Sequence, residues 1–396
     1  MAIVIFWFSL SLLFYCYAGY GTLLFLFNRV KSFLSISKIS VKDAELAPAT
    51  LVVAMYNEAA VLEQKIQNTL DIEYPREYLQ VIFVDDGSTD GSSSIVAKYP
   101  FIKLIQHKIR MGKAAAIKTA MLQVQTPVVI FSDANSMLNN QCILRIMQHY
   151  KNSSVGGVAG EKRVTATSDK YAIGDAEGIY WKYESFLKKQ EAEFYTTVGA
   201  AGELYSIRTS LFLMNEDNVI TDDFLISMRV CLQGYRMEYE SEAYSIEAPS
   251  ASIQDEAKRK IRIAAGTCQS FSYLKEALNF FKFPLLTFQY FSHRILRWIF
   301  CPFLIPLLLI SNFFIIWDHG NNCYEYFLYM QLLFYLLAMV GWLLMHQGRK
   351  AVIFNYPFYF VFMNVCIIKG LFVFFNRKHT ALWKKSMRTE TSGISK

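Results

Sequence analysis

An α/β fold with a mainly parallel sheet, flanked by transmembrane α-helices, is the architecture this sequence predicts. Three observations carry it. Short apolar runs alternate with helical patterns from residue 50 onward, as βαβ units do. The apolar excess of a chain that is 53% hydrophobic is gathered at its two ends. Between those ends, Asp, Asn and Glu collect in the loops that follow the apolar runs.

The elements follow in chain order. Residues 1–27 carry no charged side chain, and about 20 apolar residues suffice to span a bilayer, so residues 1–28 are expected to form a transmembrane helix over Ile3–Phe27. A cleaved leader is the alternative, but the start is not basic, the apolar run is too long and no small-x-small site closes it. Strands are then expected at TLVVA (50–54), VIFV (81–84), FIKLI (101–105) and VVIF (128–131), and again in GELYSIR (202–208). Helices are expected from Glu58, over Ser92–Tyr99, Lys113–Val124 and Gln141–Tyr150, then over 171–195 and 221–235, the last with Thr221 as N-cap. The basic, amphipathic segment 255–266 and the aromatic stretch at 279–286 suggest a helix at the membrane interface, with 271–294 as an interfacial region.

Further spans are expected at 295–317 and 324–345, joined by DHGNN. The stretch 352–375 is interrupted by Asn355, Pro357, Asn364 and Lys369, and is expected to be re-entrant or interfacial, followed by a basic tail, 376–396. Arg29, Lys31, Lys38 and Lys42 follow the first span, Arg294 and Arg297 precede the second, and HQGRK (346–350) follows the third. By the preference of Lys and Arg for the cytoplasmic side, this makes a multi-pass protein of the cell membrane with region 42–290 in the cytoplasm.

Net charge is +7, with the basic excess near the membrane ends, where anionic headgroups rather than nucleic acid are the expected partner. Seven scattered cysteines without a CxxC pair support neither a disulfide framework nor a zinc site.

In parallel sheets ligands gather at the carboxyl ends of the strands. That edge should join MYNEA (55–59), DDGSTD (85–90) and SDANS (132–136). Asp85, Asp86, Asp133 and Asn135 are hard oxygen donors of the kind that hold Mg²⁺ or Mn²⁺ beside substrate phosphates, although Asp and Asn are also ordinary turn residues. Asp222 and Asp223 open a helix, where one carboxylate suits the helix dipole and the other is left for base chemistry. Arg259, Lys260 and Arg262 are candidate cations for a leaving diphosphate, or simply a basic interfacial face. Arg110, Gly112 and Lys113 sit where a helix start meets phosphate, or in a solvated loop. Tyr180, Trp181 and Tyr183 are placed to stack on a sugar, or to pack.

Taken together these motifs resemble the membrane-anchored family 2 glycosyltransferases, the GT-A enzymes of the exopolysaccharide, poly-N-acetylglucosamine and cellulose synthase-like group. The motifs cover about 45–270, the expected cytoplasmic GT-A domain, and the architecture covers the chain. The resemblance implies a nucleotide-sugar donor, with Asn57 and Glu58 in the loop after the first strand and Asp85 beside Asp86 in the nucleotide loop. It also puts a metal, Mg²⁺ or Mn²⁺, on Asp133 and Asn135, the second Asp of the family's D-x-D being Asn here, and Lys113, read from its helix start, joins them as a donor contact. Thr221-Asp222-Asp223 matches T-E-D, which makes Asp223 the base. Of Q-x-x-R-W only the arginine survives, as Arg262 ahead of Ile263, so transfer to a lipid-linked or oligosaccharide acceptor fits better than processive synthesis. A processive synthase, a polyprenyl-phosphate glycosyltransferase, and a non-catalytic scaffold or transporter are the alternatives.

Overall fold

A computed structural model describes residues 1–34, 47–164, 173–250, 252–319, 322–347 and 352–377. Lys38, Lys42, Arg349, Lys350 and most of the basic tail lie outside the described residues. The N-terminal helices α1 (Ala2–Phe14) and α2 (Tyr20–Leu34) join through a π turn at Tyr15–Gly19. The chain then alternates β1 (Ala49–Met55), α3 (Ala59–Leu70), β2 (Leu79–Asp85), α4 (Ser92–Val96), β3 (Ile102–Gln106), α5 (Lys113–Met121) and β4 (Val128–Asp133). After β5 (Met137–Leu138) and α6 (Cys142–His149) come β6 (Val155–Val164), α7 (Ile173–Phe194), β7 (Tyr205–Arg208), α8 (Asp222–Leu232), β8 (Arg236–Glu247) and α9 (Ile253–Tyr273).

The eight strands form one sheet in the order β3-β2-β1-β4-β7-β6-β8-β5. Its first four are parallel, whereas β7 runs antiparallel to both β4 and β6, and β6 and β8 are parallel. Strands of alternating apolar side chains bury both faces. Val52, Ile82, Val129 and Phe131 join one core with Ala116 and Ile117 of α5. Leu51, Val53, Phe83 and Ile130 join the other with Leu62 and Ile66 of α3 and Ile146 of α6. Chain order reverses between β1 and β4, which opens a crevice at their carboxyl ends.

Four helices among the described residues are long and apolar enough to cross a membrane: Ala2–Phe33, Pro284–Asp318, Asn322–His346 and Ile353–Phe375. The second contains α10 (Pro284–Tyr290), a π segment Phe291–Phe300 and α11 (Cys301–His319), so this helix starts eleven residues ahead of the expected span at 295. The third is α12 (Asn322–His346). The last, α13 (Val352–Phe375), is a single unbroken helix with Pro357 inside its first turns. As one helix without a chain reversal its 24 residues rise about 36 Å, long enough to cross the roughly 30 Å hydrocarbon core, whereas a re-entrant or interfacial stretch is expected from the sequence. Asn355 and Asn364, which interrupted its hydropathy, are both buried against protein.

Close backbone approaches at two glycines help tie these helices to the sheet domain. On α2, Gly21 lies so close to α7 that a Cβ there would stand 2.9 Å from Leu187. Gly370 of α13 meets α9 even more tightly, where a Cβ would stand 2.4 Å from Ala264 Cβ. The basic face of α9 is therefore buried rather than interfacial: Lys260 is 6% exposed and pairs with Glu256, while Arg259 pairs with Glu177 and Glu256. Arg294 and Arg297, read from sequence as flanking charges, are likewise buried and paired with Glu184. Phe280 and Phe281 are the most exposed aromatics of 271–294, ahead of Tyr273 and Phe291.

Candidate active site

The parallel register sets Met55 opposite Asp85 and Ala54 opposite Asp133, so the three acidic loops leave the sheet side by side. They interlock by local hydrogen bonds. Asn57, at φ +53°, accepts from Thr89 N (2.8 Å) and donates its own N–H to Ser88 Oγ (2.9 Å). Glu58 N donates to Ser92 Oγ at 3.0 Å. Asp85 is wholly buried and accepts from Ser88 N at 2.9 Å and from the Ser88 and Ser93 hydroxyls. Asp86, also wholly buried, accepts from Met111 N and Gly112 N, both at 2.8 Å, and from His107 Nδ1 at 3.3 Å. Gly87, at φ +77°, turns the chain where a Cβ would stand 3.0 Å from Arg110 N. Asp85 and Asp86 thus spend their lone pairs on fixing this wall of the crevice, and Asp86 locks the loop that ends at Lys113.

Lys113 reaches across to Asp133 Oδ1 at 2.5 Å. Burial opposes its charge, yet Asp133, Asp222 and Asp223 together hold this ammonium well above the usual lysine range. The chain approaches closely at Gly202, where a Cβ would stand 3.0 Å from Lys113 Nζ and 3.2 Å from Asp223 Oδ2. Asp223 sits in the first turn of α8, accepting from Phe224 N at 2.8 Å. Burial first, and the Asp222 charge second, push its carboxyl up to about 7, against the pull of Lys113. Asp222 is raised by burial too, and its Oδ2 is buried without a hydrogen-bond partner. From α9, Arg262 feels Asp222, Asp133 and Asp223; burial and the charge of Arg259 lower its pKa, and among the described residues it forms no ion pair. Asp133, Lys113, Asp223 and Arg262 therefore converge on one mouth, with Asn135 two residues from Asp133, while the loops of Asn57, Glu58, Asp85 and Asp86 interlock beside it.

The donor set fits a shared divalent cation rather than a protein-only cage. Asp133 keeps 30% of its side chain exposed and Asn135 is half-buried at the same turn. Among the described residues no three His, Cys, Asp or Glu gather around one point. One carboxylate and one amide oxygen match the sparse protein share that Mg²⁺ or Mn²⁺ takes when phosphates complete its shell.

Sequence reasoning missed three residues here. Lys65 of α3 is fully buried beneath the Asp133–Asn135 turn, donating to Ser132 Oγ (2.9 Å) and the Ser136 carbonyl (2.5 Å), and burial lowers its pKa to about 7. Its signal was a lysine on the stripe of Leu62, Ile66 and Thr69. Lys188 of α7 is buried within range of the Glu203 and Asp223 charges, and burial lowers its pKa. Gly202 carried no readable signal at all. The aromatic candidates pack instead of lining this mouth. Trp181 covers the Lys162 ammonium at 4.8 Å and donates to Glu177 at 3.3 Å. Tyr180 lies 5.0 Å from Lys260, and Tyr183 donates to the Tyr17 carbonyl.

With this geometry in place, residues 50–212 match the model of "Glycosyl transferase family 2". The chain is 24% identical over 262 residues to a poly-beta-1,6-N-acetyl-D-glucosamine synthase of Staphylococcus aureus, covering 62% of this chain and 61% of that one. The same enzyme of Staphylococcus epidermidis is 22% identical over 256 residues. The matched region thus spans about 61% of the length of these relatives. Among solved structures, a mannosyltransferase from Pyrobaculum calidifontis, in complex with GDP-Man and Mn²⁺, superposes with a TM-score of 0.69. It is 19% identical, covers 96% of this chain and is itself covered completely, so the fold is shared from the first helix to the last. Residues 50–212 thus carry a glycosyl transferase family 2 domain, with a GT-A fold set among four apolar helices.

Proposed function

We propose that the protein is an inverting glycosyltransferase of cell-surface polysaccharide synthesis. It moves a hexosyl group from a nucleotide diphosphate donor, a UDP-sugar, to a hydroxyl of a lipid-linked or oligosaccharide acceptor at the cytoplasmic membrane face. The observation that carries this is Asp223: a half-buried carboxyl set across Gly202 from a lysine, which burial pushes up to about 7. Ionised Asp223 takes the acceptor proton as the acceptor oxygen bonds to the anomeric carbon and the bond to the diphosphate breaks. Lys113 and Arg262 offset the charge that grows on the leaving group. Mg²⁺ or Mn²⁺, held by Asp133 and Asn135, would supply further charge neutralisation there. Support for the orientation comes from Arg29 and Lys31 at the end of the first span, since Arg294 and Arg297 are spent on Glu184.

The deciding experiment is Asp223→Asn in the full chain. Transfer from labelled UDP-sugars should fall about 10²–10⁴-fold while donor affinity stays close to wild type. Near-normal turnover would remove Asp223 from the base role. Product length in the same assay separates single addition from processive synthesis, and Ile263 in place of the family's tryptophan supports the former.

A further inference from the structure

The buried face of α3 reads Leu62, Lys65, Ile66 and Thr69. Packing alone would not choose a lysine there, because its polar end must leave water and find partners inside the protein. Lys65 is fully buried, and its two hydrogen bonds go to one short segment: Ser132 Oγ at 2.9 Å and the Ser136 carbonyl at 2.5 Å. These are the first and last residues of the SDANS turn. One turn further along α3, Asn68 grips the residue pair that follows, donating to the Leu138 carbonyl (2.7 Å) and accepting from Leu138 N (2.8 Å). The turn is thus an arch with both feet pinned to α3. Its crown is Asp133, Ala134 and Asn135, of which Asp133 and Asn135 stay partly exposed and Ala134 is buried.

A lysine under a metal turn can act in two opposite ways. Its charge repels a divalent ion, whereas its hydrogen bonds can fix two ligands at the spacing that ion needs. The contacts favour the second. Both bonds of Lys65 end on the feet of the arch, so neither Asp133 nor Asn135 gives up an oxygen to it. The grip also travels onward. The Ser132 hydroxyl, which accepts from Lys65, is shared between the Glu203 carbonyl (3.1 Å) and the Asp133 carbonyl (3.3 Å). Glu203 adjoins Gly202, where Lys113 and Asp223 come closest to the backbone. One buried side chain thereby holds the metal turn against the loop that faces the base.

We propose that Lys65 is a positioning residue for the divalent cation of the donor complex, clamping the turn so that Asp133 and Asn135 present their oxygens together. The inference rests on the transferase reading above and deepens its metal step. The test is of binding rather than turnover, on full-length protein in detergent with UDP as the probe. Calorimetry gives UDP affinity with Mn²⁺ and again with EDTA, and electron paramagnetic resonance follows Mn²⁺ uptake beside UDP. Lys65→Met keeps the bulk and removes the N–H groups. It should weaken Mn²⁺ uptake about 10–100-fold and cancel most of the gain in UDP affinity that Mn²⁺ brings, while UDP affinity in EDTA stays within about twofold of wild type. Ser132→Ala should show part of the same loss, and the double variant should be no worse than Lys65→Met. Should Lys65→Met fail to fold, Ser132→Ala must show weaker Mn²⁺ uptake with UDP affinity in EDTA intact. Stronger uptake in Lys65→Met would mean that the lysine acts on the site through its charge, and unchanged uptake that it only fills the core; either overturns the proposal. So does an equal loss in EDTA, which would place the damage in the nucleotide wall. Failure of the underlying reading shows in wild type instead: UDP bound equally with and without metal removes the metal step and this proposal with it, and no UDP binding at all removes the UDP-sugar donor.

Discussion

The strand-end loops and the membrane-facing helices both bury carboxylates, but they neutralise them by different means. Asp85 is held by hydroxyls and a backbone N–H, with Ser88 three residues away, and Asp86 by two backbone N–H groups together with His107 and, at 3.9 Å, Arg110. Glu184, Glu191 and Glu177 are instead answered by Arg297, His293 and Arg259, which lie 113, 102 and 82 residues away in the chain. Burial alone would raise Glu184, yet Arg297 and His293 hold it well below the usual carboxylate range. The first arrangement shapes a binding wall mainly through backbone N–H groups and hydroxyls of the neighbouring loops. The second rivets separate helices together through full charges, and a full charge left alone in such a place is far more costly.

That contrast can be broken from either side. The largest effect is expected for Arg297→Leu, which strands Glu184: stability in detergent should drop by about 3–5 kcal/mol, and adding Glu184→Leu should restore most of it. A thermal unfolding series of the two single variants and the double variant checks this; a loss in the double variant equal to the sum of the two single losses would mean that the pair is not coupled. Next comes Asp86→Ala, which leaves Met111 N and Gly112 N unanswered. It should cost about 1–3 kcal/mol and weaken UDP binding through the loop that carries Lys113, read by calorimetry, whereas Asp86→Asn should be milder. Gly202→Ala should leave the unfolding midpoint nearly unchanged but lower kcat by roughly ten- to a hundredfold, because its methyl separates Lys113 from Asp223.

The smallest effect is with pH. Transfer should rise as pH passes through about 7 and Asp223 loses its proton. The sign for stability is opposite. A carboxyl raised in the folded state contributes most when protonated, and that contribution is lost as pH climbs from the ordinary aspartate range past 7. Asp223→Asn should therefore unfold no earlier than wild type at pH 8 and should flatten the pH profile of the rate. A variant that unfolds early would confound the kinetic test.

The same contrast explains what could be read from the sequence. VIFVDDGSTDG, SDANS and MYNEA each sit on a strand whose apolar run is local, and their juxtaposition follows from parallel topology. Strand β8, with charged residues at Arg236, Glu238 and Glu240, carries no apolar run of that kind and went unread. Arg259, Lys260, Arg294 and Arg297 look on paper like an interfacial basic face, because the glutamates that bury them are scattered through α7 and the start of α9. The polar interruptions of 352–375 misled for the same reason: their companions are distant. Gly202 matters only through two side chains that approach it from other elements.

The close crossing of Gly370 and Ala264 has a consequence for anyone cutting this protein down. At that point the membrane helix is a backbone-to-backbone cover for the helix bearing Arg262, with the Ile261 carbonyl 2.8 Å from where a Cβ of Gly370 would stand. A chain shortened ahead of residue 352 would not yield a freestanding catalytic half. It would bare a stripe of Ala264, Ala265 and Cys268 that has no polar side to show to water, and the seam would become a site of self-association.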